Sequence, residues 1–195
     1  ASVFSPFNHM DEDLLSQSTF LGLMNTVFSY TFQIRDYRSF SLCLNADWQH
    51  YNTGNIRSSE PFTQMMMHVL YSGIENEGMD KICVNEFFNK SELVPEFNEE
   101  RDKPVVFYFT PIYFENMTFG YAAISYDQPH SHSEAYRIWL RSVMRGLEFF
   151  REQDELRTMN AKLEANLVRE PLTGFYNFKG FQNQADSILK MMKNR

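Results

Sequence analysis

Val105-Val106-Phe107-Tyr108-Phe109-Thr110-Pro111-Ile112-Tyr113-Phe114-Glu115-Asn116-Met117-Thr118-Phe119-Gly120-Tyr121-Ala122-Ala123-Ile124-Ser125-Tyr126 decides the fold of this chain. Two runs rich in Val, Phe, Tyr and Ile flank a tight turn at Glu115-Asn116. Such residues suit a pleated, half-buried surface, so the stretch predicts an antiparallel hairpin. Upstream, Arg38-Ser39-Phe40-Ser41-Leu42-Cys43-Leu44 alternates polar and apolar residues with period two, as a strand does. Asn45-Ala46-Asp47-Trp48 ends it. Gln49 to Ser59 is polar and carries Asn52-Thr53-Gly54-Asn55, a turn signal that suits a hairpin into a short edge strand. Glu60-Pro61 places Pro at the first position of a helix over Phe62 to Ile74, which includes Met65-Met66-Met67, Val69 and Leu70. Met79 to Phe88 reads as a strand. Ser91 to Pro95 is a short helical turn or loop, and Asn98 to Pro104 a charged loop.

Helices bracket these elements. Asp11 or Ser16 can cap a helix over residues 11–32, with Leu14, Leu15, Leu21, Met24, Val27, Phe28 and Thr31 on one face. After the break at Asp127-Gln128-Pro129, Ser131 or Ser133 caps a long helix that ends at Glu170-Pro171, because Pro lacks an N–H and restricts the residue before it. At 1.5 Å per residue this helix spans about 55 Å. The fold class is α+β: one antiparallel sheet flanked by helices, with a long C-terminal helix of coiled-coil type.

The long helix carries two apolar seams. Tyr136, Leu140, Val143, Leu147 and Phe150 alternate steps of four and three. Phe149, Leu156 and Leu163 then recur at sevens, with Gln153, Asn160 and Leu167 between them. The seams meet out of phase at Phe149-Phe150. A core Asn such as Asn160 fixes one pairing register at some expense of stability. Residues 136 to 150 are expected to pack on the domain's own body, with dimer contact sharing that face; the expected partner is a second copy of the chain, joined through the N-terminal helix and the long helix as a four-helix dimer bundle.

Composition narrows the function classes. The chain has 195 residues, 43% hydrophobic and 16% aromatic, which suffices for a packed domain with an appendage. Its net charge of −7 offers no basic stripe for nucleic acid. No run is long and apolar enough for a membrane helix. Cys43 and Cys83 lack Cys-x-x-Cys spacing and sit among apolar residues, which suits buried thiols of a reducing, cytoplasmic setting. The chain begins at Ala1 and reaches Arg195 inside a helical pattern, as a fragment of a longer protein would.

Glu170-Pro171-Leu172-Thr173-Gly174-Phe175-Tyr176-Asn177-Phe178-Lys179-Gly180-Phe181 resembles the opening of GGDEF domains, which follows a signalling helix. Leu172, Thr173, Gly174, Asn177 and Phe181 match the family pattern. Glu170 stands for the usual Asp, Phe175 for Leu, and Phe178 and Lys179 for two Arg. The residues agree with a turn at Leu172-Thr173-Gly174 and a helix capped by Asn177. The resemblance covers about 25 residues and implies a diguanylate cyclase, which joins two GTP into cyclic di-GMP in a dimer with magnesium. The catalytic carboxylates of that family would lie beyond Arg195, so this stretch holds no catalytic residue, no metal site and no cofactor of its own. The departures at Phe178 and Lys179 leave a catalytically degenerate domain as an alternative.

Before the helix, Pro111-Ile112-Tyr113-Phe114 and Phe119-Gly120-Tyr121-Ala122-Ala123-Ile124 resemble the late hairpin of GAF domains, a pattern shared in part with PAS domains. The resemblance implies a sensor or dimerisation module over residues 1–130, then a signalling helix over 131–170, then the start of a GGDEF domain over 171–195. Trp48, Met65, His68 and Phe87 are candidate pocket residues, although the same side chains suit a plain core. His68 is the nearest candidate haem ligand, but a His beside three Met more often packs structurally. Cys43 and Cys83 are weak candidates for tetrapyrrole attachment. His130 and His132 on a loop have no evident third metal ligand.

Overall fold

The computed structural model describes residues 9–34, 37–49, 62–73, 81–98, 100, 103–115, 117–129, 134–168, 170 and 173–193, with backbone alone at 81–85, 98, 165, 166 and 193. Five strands form one sheet: β1 (Ser39–Asn45), β2 (Met65–Gly73), β3 (Lys81–Asn89), β4 (Val106–Phe114) and β5 (Met117–Tyr126). Their order is β3-β2-β1-β5-β4, and every neighbouring pair is antiparallel. The central strand β1 sends Phe40, Leu42 and Leu44 to one face and Ser41, Cys43 and Asn45 to the other; all six are buried. Both faces of the sheet are therefore covered. The β4–β5 hairpin turns where Phe114 pairs Met117, with Glu115 in the left-handed region at φ 48°. Gly120 of β5 lies so close to β1 that a Cβ there would sit 2.0 Å from the Cys43 carbonyl oxygen.

One face packs on helices α1 (Met10–Leu15), α2 (Phe20–Ser29) and the first half of α3 (Glu134–Val168). Trp139 sits at the centre of this layer. Its ring meets Phe40 edge-on at 5.0 Å, and its indole N–H donates to the Val27 carbonyl at 3.3 Å. Tyr136, Leu140, Val143, Leu147 and Phe150 are all buried on the same side. The first seam of the long helix thus covers the protein's own sheet. Gly146 lets α1 approach: a Cβ there would lie 3.2 Å from Leu14.

Two expected elements differ. The single helix over 11–32 is two helices, because Ser16-Gln17-Ser18-Thr19 breaks it. Ser16 turns its hydroxyl back onto the Asp13 carbonyl, and Thr19 caps α2 by accepting from the Gly22 N–H at 3.1 Å. Leu14, Met24, Val27 and Thr31 are buried as expected, while Leu15 and Leu21 are exposed. The expected helix over Phe62 to Ile74 is strand β2. A bulge at Val69 breaks its pairing with both neighbours. It turns Val69 and Leu70 toward the same core, where Met67 packs beside them at the i, i+3 spacing from Leu70 that a helix would also show, while Met66 faces the other core. The edge strand expected within Gln49 to Ser59 and the caps Ser131 and Ser133 fall on positions outside the described residues, apart from Gln49 in a turn.

The chain divides into two compact units, one ending at Phe150 and one beginning at Arg151. The second holds the distal half of α3 and α4 (Phe178–Lys193). No helix among the described residues is long and apolar enough to cross a membrane.

Candidate functional site

The second face of the sheet carries a small core of its own: Cys43, Met66, Phe88, Val94, Tyr121 and Ala123. Two 3-10 turns, Lys90–Glu92 and Pro95–Asn98, lie over it. Asn89 starts the first turn with a capping box completed by Glu92. The chain then makes a γ-turn at Leu93, with φ 65° and ψ −62°, closed by the Val94 N–H donating to the Glu92 carbonyl at 2.8 Å. That sparsely populated conformation points the Leu93 carbonyl at the Tyr121 hydroxyl, which donates to it. Val94 plugs the core below, fully buried.

Glu96 is the polar centre of this face. One carboxylate oxygen accepts from the Ser41 hydroxyl at 3.3 Å, and the other lies 3.7 Å from the His68 Nδ1. His68 is buried and stacks edge-on between Tyr71 and Phe88. Burial pushes the Cys43 thiol well above its usual range, and the Glu96 carboxylate pushes it further. Burial also raises the Tyr121 hydroxyl, with Cys43 adding to the shift. Ser41 reaches the carboxylate rather than the imidazole, so the cluster is not a nucleophile activated by a base. It fastens the 90–98 segment to the sheet. Beside it, Phe97, Phe107 and Phe109 form an aromatic edge with ring separations of 5.3 to 6.4 Å. Among the described residues, no three His, Cys, Asp or Glu side chains converge as for a metal ion.

Of the four candidate pocket residues, only His68 belongs to this face. Trp48 is buried in the helical layer against Phe20 and Phe119. Met65 is exposed at the start of β2, and Phe87 is exposed on β3. The structure does not bring the four together. Ser41, Glu96 and Tyr121 were missed by sequence reasoning. Ser41 and Tyr121 showed in the sequence only as polar residues within strand-like runs, whereas Glu96, between the expected turn at Ser91 to Pro95 and the charged loop from Asn98, gave no signal.

The long helix changes character at Phe150. Before it, the exposed positions are Glu134, Arg137, Arg141 and Arg145, a narrow ridge one turn apart. From Glu155 to Glu164 every residue of the helix is exposed, as is Leu167. Leu156, Leu163 and Leu167 of the second seam are each more than half exposed, as is Met159 beside them, and Asn160 is exposed too. Phe149 is half-buried.

Helix α3 is spliced to α4 by a compact joint within the second unit. Glu170 donates its N–H to the Phe175 carbonyl, and its own carbonyl accepts from the Gly174 N–H. Thr173 donates its hydroxyl to the Glu170 carboxylate at 2.9 Å. Gly174 is at φ 71° in open space, so its role is conformational. Asn177 ties both helices. Its side-chain amide donates to the Leu167 carbonyl at 2.9 Å, its side-chain oxygen accepts from the Gly180 N–H at 2.9 Å, and its backbone N–H donates to the Val168 carbonyl at 3.0 Å. Gly180 must be small, since a Cβ would lie 2.1 Å from the Val168 carbonyl oxygen. Leu172 lies outside the described residues.

No protein-family model matches the chain, and no curated protein matches it. Among solved structures, the GAF domain of an Acinetobacter phosphoenolpyruvate-protein phosphotransferase is similar, with a TM-score of 0.50 and 12% sequence identity. The match covers 80% of this chain and 97% of that one. At that identity the likeness speaks for the fold alone. With its antiparallel five-stranded sheet, flanking helices and long C-terminal helix, the chain has a GAF-like α+β fold.

Proposed function

We propose that this chain is the regulatory portion of a cytoplasmic diguanylate-cyclase-type protein. In this reading the GAF-like body senses a small molecule or sets the dimer, α3 carries the state of the body onward, and Glu170 to Phe181 begin a GGDEF domain. That domain would use GTP and magnesium to make cyclic di-GMP, as the resemblance of its opening residues implies. The observation that carries the reading is the Asn177 joint. Residues of the family-like motif (Glu170, Thr173, Gly174, Asn177) each make a hydrogen bond or adopt a conformation that locks α3 to the next helix. A stray turn would not need all four. Helix α4 also exposes Phe178, Phe181, Ile188, Leu189 and Met192, an apolar stripe suited to cover by a larger domain.

The distal seam of α3 supports pairing with a second copy. Leu156, Leu163 and Leu167 are exposed at coiled-coil spacing, with Asn160 to set register. The first seam is occupied by the protein's own sheet, so dimer contact through the body would use the outer faces of α1 and α3 instead.

The test is cyclic di-GMP formation by the full-length protein from GTP and magnesium, before and after insertion of one residue following Phe150. The reading expects product and a strong change on insertion, because one residue rotates the distal helix by about 100°. Absence of both GTP binding and product would sink it.

A second reading is a ligand-free scaffold attached to a degenerate domain. The filled second face and the Phe178 and Lys179 departures favour it. A thermal-shift panel separates the two, since a specific ligand raises the melting temperature by mass action.

A further inference from the structure

Four aromatic rings meet where α3 leaves the body. Trp48, just past the end of β1, is buried and lies 5.5 Å from Phe20 of α2, 5.9 Å from Phe119 of β5 and 6.4 Å from Phe150 of α3. Phe20 and Phe150 lie 6.1 Å apart. Phe150 is the last buried apolar residue of the proximal seam, and the seams change phase there. The box thus grips α3 at the last buried apolar residue of its first seam.

Trp48 is in turn held by the sheet. Its N–H donates to the Asn45 carbonyl at 3.1 Å. The fully buried Asn45 side chain points to the second face, accepting from the Thr63 N–H at 3.0 Å and donating to the Thr118 carbonyl at 2.9 Å. Asn45 and its strand neighbours Ser41 and Cys43 all face the Glu96 cluster side. A shift of β1 or of Thr63 is therefore carried through the short Asn45–Trp48 turn to the ring against Phe150.

From this geometry we infer that Phe20, Trp48, Phe119 and Phe150 form a latch that fixes the rotational phase of α3 at its exit, with Trp48 as the element through which the sheet acts on the helix. The inference rests on reading α3 as a coupling helix. Aromatic packing at such ring separations stabilises beyond simple burial. Opening the latch frees Phe150 and allows the half-buried Phe149 to take its place, which moves the helix from one seam to the other.

Native-state amide exchange of the full chain tests this without any cyclase readout, so its failure is distinguishable from failure of the proposed function. Trp48→Leu and, separately, Phe150→Leu are compared with the unchanged chain. The latch predicts exchange at least tenfold faster over Leu147–Asp154 in both variants, with Tyr136–Val143 and β1 within about twofold. Unchanged exchange over Leu147–Asp154 overturns it, and so does a rise shared equally by Tyr136–Val143 and β1. If Trp48→Leu fails to fold, Trp48→Phe keeps an aromatic ring, and the same two regions decide by the same comparison at a smaller amplitude.

Discussion

Asn177→Ala is the sharpest probe of the α3–α4 joint. The substitution removes two hydrogen bonds made by one side chain: the cap on the Gly180 N–H and the amide donated to the Leu167 carbonyl. Loss of an Asn cap costs about 1 kcal/mol. The second bond is solvent-exposed, so its loss adds only about 0.5 kcal/mol. The backbone bond from the Asn177 N–H to Val168 survives. The joint should therefore open more often by about 1.5 kcal/mol, or roughly tenfold in local amide exchange. The first-turn amides of α4 up to Phe181 report this by mass spectrometry. Asn177→Asp retains the capping oxygen and favours the helix N-terminus electrostatically, yet cannot donate to Leu167. It should recover most of the protection. The melting temperature of the body should not change, because Asn177 lies in the other compact unit. Equal exchange in Asn177→Ala and Asn177→Asp would refute the argument that the cap dominates, and wild-type exchange in Asn177→Ala would refute the joint altogether.

Other perturbations have equally definite outcomes. Gly120→Ala should cost about 3 kcal/mol and lower the melting temperature by about 6–10 °C, since its Cβ collides with the β1 backbone rather than with a movable side chain; a loss below about 1 kcal/mol in a denaturant titration would mean that the strands separate easily. Tyr136, held at about 12 mainly by burial, stays neutral in the folded chain while the unfolded chain ionises near its ordinary 10. Its contribution is complete below pH 10 and fades between pH 10 and 12, worth about 3 kcal/mol, so Tyr136→Phe should flatten that part of the stability–pH curve relative to the unchanged chain. Leu156→Lys combined with Leu163→Lys should abolish self-association in sedimentation while leaving the melting temperature of the body intact, and a persistent dimer would assign pairing to the outer faces of α1 and α3. Tyr121→Phe should cost about 1–2 kcal/mol by leaving the Leu93 carbonyl without its donor, as read by thermal denaturation.

Much of this arrangement was legible in the chain. The β4–β5 hairpin was legible from its β-branched and aromatic runs around a tight turn, β1 from its period-two alternation and the long helix from its helix formers, apolar seams and the Pro171 stop, and all three stand as expected. Asn177 was legible as a cap because it follows a turn and precedes an amphipathic run. Strand β2 was not legible, because the bulge at Val69 produces a spacing shared with helices. The break of the N-terminal helix was hidden because Ser16 to Thr19 suit a helix start and a helix interruption equally. The Glu96 cluster was invisible because its members lie on three separate segments, Ser41 on β1, His68 on β2 and Glu96 in a 3-10 turn.

The long helix shows where the two levels of information divide. The chain alone determined that α3 forms, where it ends and that it bears two seams out of phase at Phe149-Phe150, because helix formation and seam spacing are local properties. Only the tertiary structure decided which elements each seam faces. Tyr136 to Phe150 are consumed by the sheet and by α1 and α2, whereas Leu156 to Leu167 remain exposed. Identical spacing serves a domain core and a coiled coil equally well, so the partner of a seam is fixed by the elements that arrive beside it and not by the helix itself.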